Sequence, residues 1–385
     1  MKIALVPWSD IHMNNMIFNV ERKVQNNSSF IADLNRYNLL SPYNNLRKKL
    51  LNNSIEIDTI DLIDDFDNVD LVFFFDLNYE WLYKCIKNGL EGKLIYFAFE
   101  PPVVSKYNSR KNLKKLKNIF EYIFTWDDVL VDKENFIKMN YMQNFFSPDI
   151  SVENFSEKKL LTIISSDRYS SHPKELYSER KRIIKYFENN HQEDFDFYGV
   201  GWNKPKTLLE KIGFKEIENY NNYNGKIDNK FEVYSKYKFA VCFENTKNIK
   251  GYITEKIFDC FKSDIIPIYW GAENITDYVP QNCFIDYRNF KSIDHLYKYI
   301  KNIKKDEYEN YINNIHDFLN SNKIDKFKVS FLYENIIKVV QKYREKEDIN
   351  GISLSYKYKI YLIYYLKKII SKSKKKLVFL KRLIK

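Results

Sequence analysis

Two adjacent charged residues, Glu255 and Lys256, follow a threonine in a pattern typical of a helix start. Thr254 is a common helix N-cap type, so both residues fall in the first turn, where free backbone N–H groups and the helix dipole favour a phosphate. A lysine ammonium suits a diphosphate, and a neighbouring carboxylate suits sugar hydroxyls. The pair therefore indicates a nucleotide sugar, although an ordinary capped helix with a solvated Glu and Lys has the same pattern.

The elements that must position this pair are predicted by the stretch around it. Residues 239–243 are predicted to form a strand and 244–251 a polar loop. A helix is predicted from 254 onward, and a second strand at 265–270. Such a βαβ unit places ligands where strand ends meet helix starts. We therefore expect Asn245, Tyr252, Glu255 and Lys256 at the rim of a crevice.

Several segments of this region carry a family resemblance. They are FENT, GYITEK, IPIYWG and the run VPQNCFIDYRNF with Pro280 and Phe284. In order, spacing and residue type they resemble the signature of the α1,3/1,4-fucosyltransferases, the family 10 glycosyltransferases, which have a GT-B fold, use GDP-fucose and invert the anomeric centre. The resemblance implies that Asn245 and Tyr252 bind the donor, with Thr246 where serine is usual. Without it, Tyr252 would be interpreted as a core aromatic residue.

A candidate general base, Glu100, ends the apolar run LIYFAF and precedes Pro101 and Pro102. A carboxylate at the end of a strand, on a stiff turn, is placed to face an interdomain cleft. Inverting transfer needs one base to take the proton of the acceptor hydroxyl. The segment EPP followed by EYIFTWDDVL resembles the family region that holds the proposed base. A solvated or capping glutamate is the alternative.

A candidate diphosphate ligand, Arg180, lies in the predicted helix SERKRIIKYFE. Its register resembles the family segment that carries a phosphate-binding arginine. A guanidinium opposite Lys256 would stabilise the charge of the leaving group in place of a metal. Arg182 competes for this role, and either side chain would also suit a solvated helix face.

Metal binding has two short candidate motifs. Asp65-Phe66-Asp67 and Asp194-Phe195-Asp196 fit the DxD pattern of metal-dependent glycosyltransferases. The pattern is common in a chain rich in aspartate, and the second copy lies at the entrance of a predicted strand. The five histidines show no ligand spacing. We therefore expect no metal site and no required cofactor, with GDP-fucose as a substrate.

The charge and the cysteines indicate the surroundings of the protein. The net charge is +11, and residues 351–385 hold eleven Lys or Arg with no Asp or Glu, so the rest of the chain is neutral. As a helix, this tail would bind an anionic membrane surface, and a basic extension that binds polyanions is the alternative. No specific nucleic acid is expected. Four scattered cysteines without a CxxC motif indicate buried thiols in a reducing compartment.

The fold class predicted is α/β, a GT-B fold of two Rossmann-like parallel-sheet domains with a cleft between them and a basic amphipathic tail. We expect an acceptor domain at 1–155, a GDP-sugar donor domain at 156–346 and a membrane-association tail at 347–385. The expected function is inverting transfer of L-fucose to a glycan hydroxyl, α1,3 or α1,4 on a GlcNAc- or Glc-type residue of a surface polysaccharide or lipopolysaccharide. The expected location is cytoplasmic, on the inner face of the cytoplasmic membrane. Alternatives are a transferase of another nucleotide sugar, or a polyanion- or membrane-binding protein acting through its tail.

Overall fold

The structure is a computed structural model in which the chain forms two compact units. It describes residues 1–20, 23–25, 31–33, 35, 38–132, 134–205, 218–346 and 351–383. The first unit comprises residues 1–126, 130–139 and 332–385, and the second comprises 127–129 and 140–331. Each unit is built on its own parallel sheet.

The first unit contains a six-stranded sheet. Its strands are β1 (Lys2–Val6), β4 (Glu56–Thr59), β5 (Leu71–Phe75), β6 (Leu94–Ala98), β7 (Tyr122–Thr125) and β8 (Phe136–Lys138). Strands β2 (Lys23–Gln25) and β3 (Ile31–Asp33) form a separate antiparallel pair. The order is β4-β1-β5-β6-β7-β8, and every neighbour is parallel. The continuous apolar runs of β5 and β6 are typical of strands covered on both faces.

Three helices connect these strands: α1 (Ser41–Leu51), α2 (Tyr79–Lys87) and α3 (Arg110–Leu116). Helix α2 shows how local sequence fixes them. The side chain of Asn78 accepts hydrogen bonds from the amides of Glu80 and Trp81 at 3.1 and 3.2 Å. Gly89, at φ +73°, takes the left-handed conformation that follows the helix. Asn78 and Gly89 therefore mark the two ends of α2 in the sequence itself.

The second unit contains a five-stranded, fully parallel sheet in the order β10-β9-β11-β12-β13. Its strands are β9 (Lys159–Ile164), β10 (Phe195–Tyr198), β11 (Tyr237–Phe243), β12 (Ile266–Trp270) and β13 (Ile285–Asp286). Its helices are α4 (Tyr177–Asn190), α5 (Lys230–Tyr234), α6 (Glu255–Phe261), α7 (Ile293–Asn302) and α8 (Lys305–Asn320). The strand order reverses between β9 and β11, which is the point where open α/β sheets bind ligands.

The central strand β11 is covered on both faces. Phe239, Val241 and Phe243 belong to one core cluster, and Ala240 and Cys242 belong to another. This alternation is the two-residue period of a strand, with each face packed against helices. All four cysteines of the chain are buried and unbridged. The two helix-covered parallel sheets predicted from the sequence are confirmed.

The end of the chain returns to the first unit. Helix α9 (Val329–Arg344) begins in the second unit, and its residues from Leu332 onward belong to the first, as does α10 (Leu354–Leu383). Residues 347–350 and 384–385 of the predicted tail lie outside the described residues. No helix within the described ranges combines the length and the apolar character that a membrane crossing requires.

The first part of α10 is packed against α2. Ile360 is 2% exposed and joins the core cluster of the first unit. The ring of Tyr364 stacks on Tyr83 with 4.1 Å between centroids. In the loop that follows α2, the carboxylate of Glu91 forms a salt bridge of 2.6 Å with Lys357. The tail is thus part of the first unit along its inner face.

We expect Ile360→Ala to lower the free energy of unfolding by about 2 to 4 kcal/mol, because a buried aliphatic side chain is replaced by a cavity. Leu362→Ala is the matched control, since Leu362 is 60% exposed on the same helix. Its effect should stay within about 0.5 kcal/mol. Urea unfolding of both variants measures the difference, and equal effects would mean that α10 is not docked.

Candidate functional site

The candidate site lies at the carboxyl edge of the second sheet. Ser165, Glu244 and Gly271 directly follow β9, β11 and β12, three neighbouring strands. Helices α4 and α6 begin nearby in the chain and bring Arg180, Glu255 and Lys256. The edge therefore collects polar side chains from four elements, β9, β11, α4 and α6, next to the glycine that follows β12.

Arg180 is buried at this edge, with 7% of its surface exposed. One terminal nitrogen, Nη2, donates to the carbonyl oxygens of Phe243 and Glu244 at 2.5 and 2.7 Å. Nη2 also lies 3.4 Å from the amide oxygen of Asn245, and Nη1 lies 3.3 Å from the hydroxyl of Ser165. In the described part of the chain, none of its hydrogen bonds goes to a carboxylate, and the charge of Glu244 acts on the guanidinium without a direct hydrogen bond.

A short backbone pairing holds α4 in this place. Glu175 and Thr246 form an antiparallel bridge, and the amide of Leu176 donates to the carbonyl of Asn245 at 3.2 Å. The hydroxyl of Thr246 donates to the carbonyl of Lys174 at 3.0 Å. Serine has the same hydroxyl, so the threonine found in FENT keeps the contact that the loop requires.

Glu244 is fully buried and organises the start of α6. Its carboxylate accepts hydrogen bonds from the amide of Thr254 at 2.8 Å and from the hydroxyl of Thr254 at 2.8 and 3.1 Å. It also pairs with the ammonium of Lys256 at 3.3 Å. The Nζ of Lys256 contacts the Thr254 hydroxyl at 2.9 Å and the Glu255 carboxylate at 3.4 Å. Lys256 is therefore held between two carboxylates.

The charges at this edge are strongly coupled. Partial burial acts to raise the pKa of Glu255, but the positive charges of Lys256 and Lys230 lower it to about 2. Burial acts to lower the pKa of Lys256, but Glu244 and Glu255 raise it above its ordinary value, while Arg180 opposes the rise. Burial lowers the pKa of Arg180, which still carries its charge at neutral pH. Two neighbouring cations that repel each other are characteristic of an anion site.

Asn245 and Tyr252 complete the predicted set in this unit. Asn245 is partly exposed and follows Glu244 directly, and its amide oxygen faces Arg180 as described above. Tyr252 is 1% exposed and packs edge-on against Tyr141, with 6.0 Å between the ring centroids. It also lies close enough to Arg180 to affect its pKa. All five residues predicted to bind the donor thus lie together, and their roles stay predictions.

Arg182 is placed differently from Arg180. It lies on the exposed side of α4, where its guanidinium pairs with Glu179 at 2.5 Å and donates to the hydroxyl of Tyr287 at 3.2 Å. Of the two arginines left open by the sequence, only Arg180 reaches the strand ends with Lys256.

Glu100 lies in the first unit, two residues beyond the end of β6, and is partly exposed. Its amide donates to the carboxylate of Asp76 at 3.2 Å. The structure places it at the carboxyl edge of its own sheet, as predicted from the sequence. Its role as a base stays a prediction.

Both DxD motifs are used in local contacts. Asp65 accepts hydrogen bonds from the amide of Asp67 at 2.9 Å and from the side chain of Asn68 at 2.6 Å. Asp194 pairs with Lys301 at 2.5 Å, and Asp196 pairs with Lys159 at 2.7 Å. Within the described ranges, no group of three or more His, Cys, Asp or Glu residues could hold a metal ion.

Sequence reasoning gave no role to Glu244, although a signal was present. Glu244 follows an apolar strand directly, just as Glu100 does, and the same rule would have selected it. Gly271, the last residue of the segment IPIYWG, lies close to Glu244. A Cβ there would lie 2.4 Å from the Cγ of Glu244 and from the hydroxyl of Tyr269, so glycine leaves the room that the carboxylate occupies.

We expect Glu244→Ala to destabilise the protein by about 3 kcal/mol, because Thr254 and Lys256 lose a buried, charged acceptor. Glu244→Gln, which keeps an acceptor oxygen, should lose less. Glu273→Ala, at an exposed glutamate two residues beyond β12's Gly271, is the control and should stay near wild type. Thermal unfolding measures all three, and a wild-type melting temperature for Glu244→Ala would contradict the assignment.

Comparison with known proteins places this site in a family. The family model described as "Glycosyltransferase family 10 (fucosyltransferase) C-term" matches residues 156–353, just over half of the chain. The Alpha-(1,3)-fucosyltransferase FucT of Helicobacter pylori is 44% identical over 90 residues, which are 23% of this chain and 18% of that protein. The Alpha-(1,4)-fucosyltransferase of Arabidopsis thaliana is 42% identical over 72 residues, 19% of this chain and 18% of that protein. The matched segments span less than a fifth of these relatives.

A solved structure, an alpha1,3-fucosyltransferase with GDP-fucose, resembles most of the chain. Its TM-score is 0.50 at 18% identity, and the match covers 91% of this chain and 92% of that one. At this identity the likeness concerns the fold alone, and it confirms the predicted GT-B class. The match over 156–353 includes the segments FENT, GYITEK and IPIYWG, so the resemblance drawn from them is also confirmed. The chain therefore belongs to glycosyltransferase family 10, the fucosyltransferases.

Proposed function

We propose that this protein transfers L-fucose from GDP-fucose to a hydroxyl of a glycan acceptor, with inversion of the anomeric centre. The acceptor proposed is a GlcNAc- or Glc-type residue of a surface polysaccharide or lipopolysaccharide, with an α1,3 or α1,4 linkage. The observation that carries the proposal is the pair of cations, Arg180 and Lys256, collected at the strand ends of the unit that matches the fucosyltransferase family. The related fold solved with GDP-fucose supports the choice of donor.

The two cations suit the diphosphate of the donor. Arg180 has spare hydrogen-bonding capacity, because its partners in the described chain are three oxygens at its Nη2 and one hydroxyl at its Nη1. A diphosphate would relieve the repulsion between Arg180 and Lys256, and its charge grows as the bond to fucose breaks. Asn245, Tyr252 and Glu255 would complete the donor site. With two side-chain cations supplied, we propose that a divalent metal is not essential.

Glu100 is the proposed general base. In the inverting reaction, a carboxylate takes the proton of the acceptor hydroxyl. The hydroxyl oxygen then bonds to C1 of fucose as the C1–O bond to GDP breaks, and GDP leaves with the electron pair of that bond. Glu100 suits this role because it stands at a strand end, is partly exposed and has its backbone fixed.

We expect calorimetric titration to show selective binding of GDP-fucose over GDP-mannose and UDP-galactose, unchanged by EDTA. Arg180→Lys should weaken binding by about 10- to 100-fold, because lysine cannot reproduce the guanidinium fork. Arg182→Lys is the matched control on the same helix and should bind as wild type. A folded wild-type protein that binds no guanine nucleotide, or that loses binding with EDTA, would overturn the proposal.

The tail is proposed to attach the protein to the inner face of the cytoplasmic membrane. The exposed face of α10 carries a row of apolar side chains at helical spacing. They are Leu354, Tyr358, Leu362, Leu366, Ile369 and Ile370, whereas Tyr365, also exposed, contacts Tyr83 of α2 through its hydroxyl. In sequence, residues 351–385 contain eleven basic residues and no acidic residue. Such a face suits an anionic lipid surface, where each basic residue contributes about 1 kcal/mol.

We expect the full chain to sediment with anionic vesicles but not with zwitterionic ones, and more weakly as salt is raised. Leu362→Asp combined with Ile369→Asp should abolish sedimentation by placing charge on the apolar row. Leu62→Asp, at another exposed leucine of the first unit, is the control. Sedimentation of the double variant at the wild-type level would exclude the row as the lipid-binding face.

A further inference from the structure

Asp76 directly follows β5 and lies beside Glu100 at the carboxyl edge of the first sheet. Its carboxylate accepts hydrogen bonds from the amides of Phe99 and Glu100, both at 3.2 Å. It also accepts one from the side chain of Asn108 at 2.6 Å. Three donors, two of them the backbone amides that end the neighbouring strand segment, thus converge on one carboxylate.

Asn108 closes this arrangement on its other side. Its amide nitrogen donates to the carbonyl of Glu100 at 2.7 Å, and its amide oxygen accepts from the hydroxyl of Tyr96 at 2.6 Å. Tyr96 and Asn108 are 0% and 2% exposed. Both the N–H and the C=O of Glu100 are therefore bonded to the pair Asp76 and Asn108, which is anchored in turn on β6.

The backbone of Asp76 is itself unusual. Its φ is +61°, a left-handed conformation that costs energy in most residues and that glycine, and less often asparagine or aspartate, adopts. Such a conformation persists where the surroundings fix it, and it recurs at functional sites. Glycine would satisfy the turn at no steric cost, so the turn alone does not explain an aspartate at this position.

The charge of Asp76 is also coupled to Glu100. Burial is the largest influence and raises the pKa of Asp76 to about 7; the hydrogen bond from Asn108 opposes the rise, and the Glu100 carboxylate adds to it. The hydroxyl of Tyr96 is a further titratable group, and the charge of Asp76 acts on it. The site thus keeps a second carboxylate next to the first in spite of their repulsion.

We propose that Asp76 is a positioning residue for Glu100, which it holds, together with Asn108, in the backbone conformation needed to receive the acceptor proton. This inference rests on the proposed role of Glu100 as general base. Proton transfer depends on hydrogen-bonding distance and alignment, so a shift of the Glu100 backbone would slow the chemical step without weakening the donor.

The test measures kcat for fucosyl transfer and the Kd for GDP-fucose in Asp76→Asn and Asp76→Gly. Asparagine places an N–H group against the amide donors, and glycine keeps the left-handed backbone while removing the carboxylate. We expect kcat to fall about 10- to 100-fold in both variants. The Kd for GDP-fucose should stay within about two-fold and the melting curve should remain cooperative, which separates positioning from unfolding.

Asp264→Asn is the matched control. Asp264 also has a left-handed backbone, at φ +48°, and its carboxylate contacts His316 at 2.7 Å in the second unit. We expect its kcat to equal that of wild type. A wild-type kcat for Asp76→Gly, or an equal loss in Asp264→Asn, would overturn the inference.

A double-mutant cycle with Glu100→Gln separates this inference from the proposed function. If Asp76 acts through Glu100, Asp76→Asn should cause no further loss in the Glu100→Gln background. Fully additive losses would show that Asp76 acts elsewhere and would overturn the inference alone. A Glu100→Gln variant with wild-type kcat would overturn the assignment of the base, and this inference with it.

Discussion

The buried carboxylate of Glu244 is the contact on which the candidate donor site depends. A carboxylate with no exposed surface is tolerated only when it is fully hydrogen-bonded and paired, and Thr254 and Lys256 supply both. Glu244 directly follows β11, and its carboxylate binds Thr254 at the start of α6 and holds Lys256 in place. Because the preceding carbonyls of Phe243 and Glu244 also hold Arg180, one strand end determines the positions of both cations.

The two units use one physical device at their strand ends. In parallel sheets all carboxyl ends meet at one edge, where amides without a strand partner collect. In the first unit, the carboxylate of Asp76 accepts hydrogen bonds from two backbone amides. In the second unit, the carboxylate of Glu244 accepts a hydrogen bond from one backbone amide. In each case the acidic residue that holds the backbone is buried or partly buried, and in the second unit Lys256, which pairs with it, is the more accessible residue.

The sequence allowed much of this fold to be predicted, because its signals are local. Asn78 and Gly89 mark the ends of α2, and the apolar runs of β5, β6 and β11 mark buried strands. The local sequence pattern did not separate Arg180 from Arg182. Both lie on one helix, and they differ only in that one side chain is turned toward the core and the other toward solvent. The same limit applied to the tail: Ile360 and Leu362 are equally apolar in sequence, and only the packing against α2 buries one and exposes the other. The contacts of Asp76 were not predictable, because its partner Asn108 is 32 residues away, whereas Glu244 could have been selected as the residue that directly follows β11.

The docking of α10 has a geometric consequence for any surface that the protein binds. A helix of 30 residues extends about 45 Å, and its beginning is stacked on the same unit that carries Glu100. The exposed row of apolar side chains and the end of β6 therefore belong to one body. If that row rests on a lipid surface, the unit cannot rotate freely above it, and Glu100 stays at one height. Acceptor hydroxyls would then be selected by their distance from the membrane as well as by their chemistry.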